Sequence, residues 1–390
     1  MVTVREQAVH APDQTPMLYL GLLAPLGYLG VTVLPFWLGA AIHDGLLPAR
    51  TVGLVAAGEM LAMAVANMAT SSFLVRRSIK MLVRASMTVA IFGSLLSMMP
   101  HPLVLVVARL LSGAAFGVLN AAVAATAARQ IQPQRSLTAM LLMMMPVLAL
   151  TAFVTPHVVA WRGLAGLFGV LAMICGLGLF LARKMPDRET PAPAGLGLGR
   201  VSLSPVALAA CFAIAAYSAS QYVILPFLVV IGAHISISAA TIGIIASSSV
   251  LFTLPAPALA NALGERIGLA LPIGSSLAVM GLGAALVLTS TSVVTLTAGT
   301  MLLYFAPSFL LPYAFGLLTR FDNQGSYAST FPGFLMVGAA AGPALAGTFA
   351  AEGEFGRMAI LAIGLQIASL ALFVVALRSP KIALAPQFTP

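Results

Sequence analysis

The chain has 390 residues, 60% of them apolar and only 7% charged, and its mean hydropathy is +1.05. Too little polar surface remains to cover a water-facing domain, which excludes a soluble globular protein and makes lipid the solvent. The net charge of +9 comes without a basic patch interleaved with aromatic residues, so no nucleic-acid partner is expected.

In chain order, residues 1–16 are polar and carry Arg5, Glu6 and Asp13. The apolar run behind them is too long for a cleaved signal, and they read as a cytoplasmic N-terminal tail. Twelve apolar stretches follow, at 17–42, 51–74, 81–99, 103–128, 137–160, 163–181, 205–232, 239–263, 267–289, 293–318, 327–350 and 357–377. Each is long enough, at about 20 residues, to cross the hydrocarbon core as a helix. The one long gap, 183–204, starts with Arg183, Lys184, Asp187, Arg188 and Glu189 and continues through Pro191, Pro193, Gly195, Gly197 and Gly199. Charge followed by a Pro/Gly-rich run reads as a flexible cytoplasmic linker. It divides a six-helix bundle at 17–182 from a second at 205–378, and 379–390 form a cytoplasmic C-terminal tail.

Orientation follows from the distribution of cations. Of the 19 lysines and arginines, fifteen fall in alternate gaps or tails, three (Arg50, Arg162 and Arg357) fall in the intervening gaps, and Arg109 lies inside the fourth span. This asymmetry places both termini in the cytoplasm of a multi-pass cell-membrane protein. The positive charge describes a cytoplasmic rim facing anionic lipid. The two cysteines, Cys175 and Cys211, fall within the sixth and seventh spans, so neither a disulfide framework nor a metal site is expected.

Weak internal symmetry supports the division. The gap after the second span carries Arg76 and Arg77, and the gap after the eighth carries Arg266, short turns with arginine at the corresponding place. Twelve spans, a long central linker and these paired turns resemble the major facilitator superfamily. Within the fourth span, Arg109-Leu110-Leu111-Ser112-Gly113-Ala114-Ala115-Phe116-Gly117 is similar to that family's Arg-x-x-x-Gly-x-x-x-Gly pattern, and Trp161-Arg162-Gly163 precedes the sixth span as it does in many members. The run from Gly338 through Gly342 and Pro343 to Gly347 resembles a glycine–proline element that many exporters carry in their fifth helix; here the fifth span instead has Met143-Met144-Met145-Pro146 and Pro156. The loop after the second span lacks the family's glycine and acidic residue, and the second half supplies Asn261 and Glu265. The resemblance implies an all-α protein of twelve transmembrane helices in two pseudo-symmetric six-helix bundles, with a solute site at mid-membrane between them.

Ionisable groups inside a bilayer are expensive, which singles out Glu59 in the second span and Arg109 in the fourth. Glu59 is the candidate proton carrier. Arg109 is a bidentate anchor for an anionic substrate group, or a cation that sets the proton affinity of Glu59, or one half of a buried pair that fixes helix packing. Steps of four, seven and eleven residues place Gly113, Phe116 and Asn120 on the face of Arg109, which is expected to line the cavity. In the second half the polar groups are neutral. Gln221, Tyr222 and Tyr304 are the further substrate-binding candidates, while Ser247, Ser248, Ser249, Tyr313 and Gln366 could equally join helices. His157 and His234 read as interfacial residues. Gly113/Gly117 and Gly338/Gly342, with Pro343, are small or bending residues that let helices approach and slide.

These features lead to a secondary active transporter that moves a small organic solute by alternating access, energised by the proton gradient and without a cofactor. Export of amphipathic compounds is favoured, and uptake of a small organic anion such as a carboxylate is the alternative. A channel would need a ring of charges or a filter loop, and an intramembrane enzyme a catalytic motif; the sequence shows neither. The partners expected are the solute and the lipid bilayer, and the chain is expected to act as a monomer.

Overall fold

The computed structural model describes residues 17–74, 78–127, 133–185, 204–264, 266–321 and 326–379. The tails, nearly all of the linker and the loop residue Arg77 lie outside the described residues. These form fourteen α-helices and three short 3-10 turns: α1 (Met17–Leu23), α2 (Leu29–His43), α3 (Ala49–Leu74), α4 (Ile79–Ser97), α5 (Pro102–Ala127), α6 (Pro133–Leu181), α7 (Pro205–Ile224), α8 (Leu228–His234), α9 (Ala239–Phe252), α10 (Pro255–Leu263), α11 (Ala270–Leu288), α12 (Val293–Thr319), α13 (Ser326–Ala351) and α14 (Phe355–Leu377). The first and seventh apolar stretches are each broken by a 3-10 turn, Ala24–Tyr28 and Leu225–Phe227, at Pro25 and Pro226. Proline has no N–H for the helical ladder, so the break falls where the donor is missing.

Eleven stretches among the described residues are long and apolar enough to cross a membrane. The difference from twelve lies in one stretch, Ala139–Lys184, which runs for 46 residues. At 1.5 Å per residue a straight helix of that length would measure about 70 Å, more than twice the hydrocarbon thickness. The chain instead reverses at Gly163, whose φ of 62° and ψ of −157° suit a residue without a Cβ. Past the turn, a methyl group built on Gly166 would stand 3.4 Å from the Val158 carbonyl, eight residues back. A continuous helix would hold those residues about 12 Å apart. With a single joint residue, no loop separates the two helices.

The first broken span of each part ends the same way. His43 closes α2 and His234 closes α8. Two residues later Gly45 and Ser236 adopt positive φ, of 64° and 60°. The next amides, of Leu46 and Ile237, donate back to Ala41 and Gly232 at 3.1 and 2.8 Å. This six-residue closure satisfies carbonyls that the helix end leaves open. Its recurrence is local geometry of the kind a duplicated unit produces. Ser78, Ser204, Ser238 and Ser292 cap the starts of α4, α7, α9 and α12 through their hydroxyl oxygens.

Small residues set the packing. Gly113 and Gly117 on α5 face the α3 backbone at Glu59 and Met63, and Gly338 and Gly342 on α13 face the α7 backbone at Ala215 and Tyr222. The parts before and after the linker touch where α2 meets the Leu225–Phe227 turn and α8, a methyl group on Gly39 standing 2.6 Å from the Val229 side chain, and along two further seams. In one, α3 meets α13, where a methyl group on Gly53 would stand 2.7 Å from the Pro343 carbonyl. In the other, α6 meets α9, where the Ser247 hydroxyl donates to the Ala149 carbonyl at 2.8 Å. Phe92, Leu103, Trp161, Val294 and Ile360, all more than three-fifths exposed, lie on the outside, where lipid replaces water.

Gly117→Val is expected to destabilise the bundle by at least the ~1–3 kcal/mol typical of overpacking, because the colliding atoms are backbone. Gly364→Val, at an exposed position with open space, is expected to be neutral. Thermal unfolding of the two purified variants in the same detergent checks the contrast, and equal unfolding temperatures would contradict it.

Candidate functional site

Glu59 sits on α3 with 3% of its surface exposed, and Arg109 on α5 with none. The absence of a side chain at Gly113 lets the two helices approach at the Glu59 backbone, which brings the long side chains together. Arg109 donates from Nε to Glu59 Oε2 at 2.9 Å and from Nη2 to Oε1, a two-pronged pair matching the planar guanidinium to the carboxylate. The guanidinium also lies near two rings, with its carbon 5.7 Å from the Trp37 centroid and 5.2 Å from that of Phe168. Among the described residues its third nitrogen, Nη1, has no hydrogen-bond partner.

Between the parts lies a cavity of about 310 Å³. Its walls come from the first span (Tyr28, Val31, Thr32, Leu34), α6 (Met144, Met145, Leu148), α7 (Ser218, Gln221, Tyr222), α9 (Val250) with the residue that follows it (Thr253), α12 (Tyr304, Ser308) and α13 (Leu335, Met336). No charged residue is among those lining it. Several polar groups there are already engaged: Gln221 donates its amide to the Leu303 carbonyl at 3.0 Å, and Thr32 and Thr253 donate to Tyr28 and Val250 carbonyls. The three tyrosines that line the cavity, Tyr28, Tyr222 and Tyr304, come from three different spans. The buried Ser218 hydroxyl has no partner among the described residues.

The ion pair and the cavity are separate but adjacent. A void of about 10 Å³, near the least space that admits one water, lies beside Glu59 and is walled by Gly30, Val31, Leu34, Met60, Met63 and Phe116. Val31 and Leu34 therefore form a partition, with the void beside Glu59 on one side and the cavity on the other.

This geometry corrects one expectation. The face of α5 that carries Arg109, Gly113, Phe116 and Asn120 does not line the cavity. It packs on α3 and the first span, where Phe116 is buried against Gly30 and Asn120 donates to the Gly27 carbonyl at 3.1 Å. The glycines of α5 close the gap that a cavity would need. Gln221, Tyr222 and Tyr304 do line it. Tyr313 and Gln366 join helices instead, through the Ala260 carbonyl and the Ser220 hydroxyl. Ser249 bonds back to the Ile245 carbonyl of its own helix. Arg266 is exposed at the turn after α10. His157 bonds to the Phe153 carbonyl, and His234 meets the edge of Phe355. Cys175 and Cys211 are buried, and no cluster of three metal-ligating side chains occurs among the described residues. Sequence reasoning missed Tyr28, Ser218 and the pair of rings around Arg109. The signal that could have found Tyr28 was proximity to a proline break: it follows Pro25 much as Tyr222, already a candidate, precedes Pro226.

Replacing Glu59 by Ala strands a buried cation and is expected to cost about 3–5 kcal/mol, whereas Glu59→Leu combined with Arg109→Met is expected to recover most of that loss. A double-mutant cycle by thermal unfolding measures the coupling, and additive losses would mean the two side chains do not act as a pair.

No protein-family model matches the chain, and no curated protein resembles it in sequence. Solved structures do resemble it in shape. The POT family transporter PepTSo matches with a TM-score of 0.72 at 12% identity, over 94% of this chain and 98% of its own. The nucleoside transporter NupG matches with a TM-score of 0.69 at 14% identity, over 92% and 99%. A POT family transporter in complex with 5-aminolevulinic acid matches with a TM-score of 0.70 at 14% identity, over 96% and 98%. At such identities what this chain shares with these transporters is the fold alone.

Proposed function

We propose that the chain is a secondary active transporter of the major facilitator type, which moves a small, uncharged or amphipathic organic solute by alternating access, coupled to the proton gradient through Glu59. The observation that carries this reading is the partition itself. A solute cavity built from both parts of the chain shares the wall of Val31 and Leu34 with a void beside the one buried carboxylate among the described residues. A proton arriving at Glu59 neutralises the partner of Arg109, weakens the two-pronged pair and frees α3 and α5 to shift against the first span. That motion reaches the cavity through the shared wall.

Twelve spans in two six-helix bundles follow if the 46-residue stretch is counted as two crossings about the reversal at Gly163. The repeated His-ended closure of the first span in each part supports the pseudo-symmetry. The cation asymmetry supports cytoplasmic termini in the cell membrane, and the chain acts as a monomer with no cofactor. The uncharged cavity, rich in Met and Tyr, supports export of amphipathic compounds. Uptake of an organic anion is the second reading. The unpartnered Nη1 of Arg109 favours it, and it requires the first span to move aside so that the guanidinium meets the solute.

Glu59→Gln keeps an acceptor for Arg109 but cannot release a proton. In proteoliposomes it is expected to retain counterflow exchange while losing accumulation driven by a pH gradient, and undiminished gradient-driven accumulation would remove Glu59 from the mechanism. Gln221→Ala and Tyr222→Phe are each expected to raise KM about 5-fold, the equivalent of one hydrogen bond, with the pH dependence unchanged. Transport of an anionic solute that survives Arg109→Lys would leave the second reading without its anchor.

A further inference from the structure

A second site lies on the outside of the bundle. At the end where the linker joins, α4 and the last turns of α6 frame a groove of about 450 Å³, with Ser78, Lys80 and Arg84 at its head and Met81, Thr88 and Leu179 along its length. We propose that this groove binds an anionic phospholipid from the leaflet at the linker end, with the phosphate at Lys80 and Arg84 and an acyl chain along α4 and α6.

Four observations converge on that occupant. Lys80 and Arg84 stand four residues apart, so their heads share one face of α4. They fall within about 8 Å of the helix start, the depth of the headgroup layer. Arg183 and Lys184 follow α6 directly on the neighbouring element, and the Arg183 guanidinium lies 5.0 Å from the exposed Phe180 ring. None of these four cations has an ion-pair partner among the described residues. The described carboxylates Asp44, Glu352 and Glu354 sit at the opposite end of the bundle, and Glu59 is tied to Arg109.

The helix start adds to the field. Ser78 accepts the Met81 amide at 3.1 Å, which leaves its hydroxyl proton to donate, and the first-turn amides contribute the positive end of the helix dipole. Beyond the head the surface turns apolar. Met81, Phe92 and Leu95 are about half exposed or more and share one face of α4 with Arg84 and Thr88, an apolar lane that would take an acyl chain. A soluble anion would use the cations and leave the lane empty, whereas a phospholipid uses both.

The test uses the purified full-length protein, stripped of lipid in a neutral detergent. Phosphatidylglycerol is expected to raise the apparent unfolding temperature about 2–4 °C more than phosphatidylcholine does, and inorganic phosphate is expected to have no effect. Lys80→Gln combined with Arg84→Gln should abolish the difference, and Arg84→Lys alone should keep it. Arg50→Gln, which removes an exposed cation at the other end, should also keep it. Equal shifts with the two lipids, an equal shift with inorganic phosphate, a difference that survives the double variant, or one that disappears with Arg50→Gln would each overturn the proposal. The unfolding temperature without added lipid shows whether each variant is folded.

Discussion

Opposite charges in a medium of low dielectric attract strongly, and separating them leaves each exposed to an environment that cannot solvate it. The pair of Arg109 and Glu59 imposes that condition on the N-terminal part. It demands that α3 and α5 run close, which Gly113 and Gly117 permit, and it demands aromatic faces for the remaining edge of the guanidinium, which Trp37 and Phe168 provide. Four helical elements are thereby tied to one point. Loss of either charge at that point would bear on all of them together.

The cavity is built on a different logic. Its walls offer thioethers, phenols and a few hydroxyls, and several polar groups spend their protons on nearby carbonyls. One layer of side chains, Val31 and Leu34, stands between the cavity and the void beside Glu59. Under the function proposed above, this separation would let energy coupling and solute recognition be tuned independently.

The transmembrane stretches were legible because a chain that folds in water rarely strings together about twenty apolar residues, and a bilayer requires it. Glu59 and Arg109 were legible because ionisable groups stand out against such a background. Which neighbour each helix face meets was not legible. In a bilayer the lipid-facing and protein-facing sides of a helix are equally apolar, so the period that grouped Arg109, Gly113, Phe116 and Asn120 on one face carried no information about what covers it. The face proved to be covered by α3 and the first span. The break between the fifth and sixth stretches was legible at 160–163, and it falls at Gly163; that one residue with positive φ makes the turn was not, because hydropathy says nothing of a dihedral angle.

That reversal has a mechanical consequence. A loop of several residues between two helices acts as slack, absorbing the movement of one before it reaches the other. One residue stores almost none. The helix before Gly163 carries Met144, Met145 and Leu148 into the cavity wall, and the helix after it carries Phe168 against the Arg109 guanidinium. A single residue thus joins an arm on the cavity wall to an arm on the ion pair, and a shift of either arm has no slack to take it up before it reaches the other.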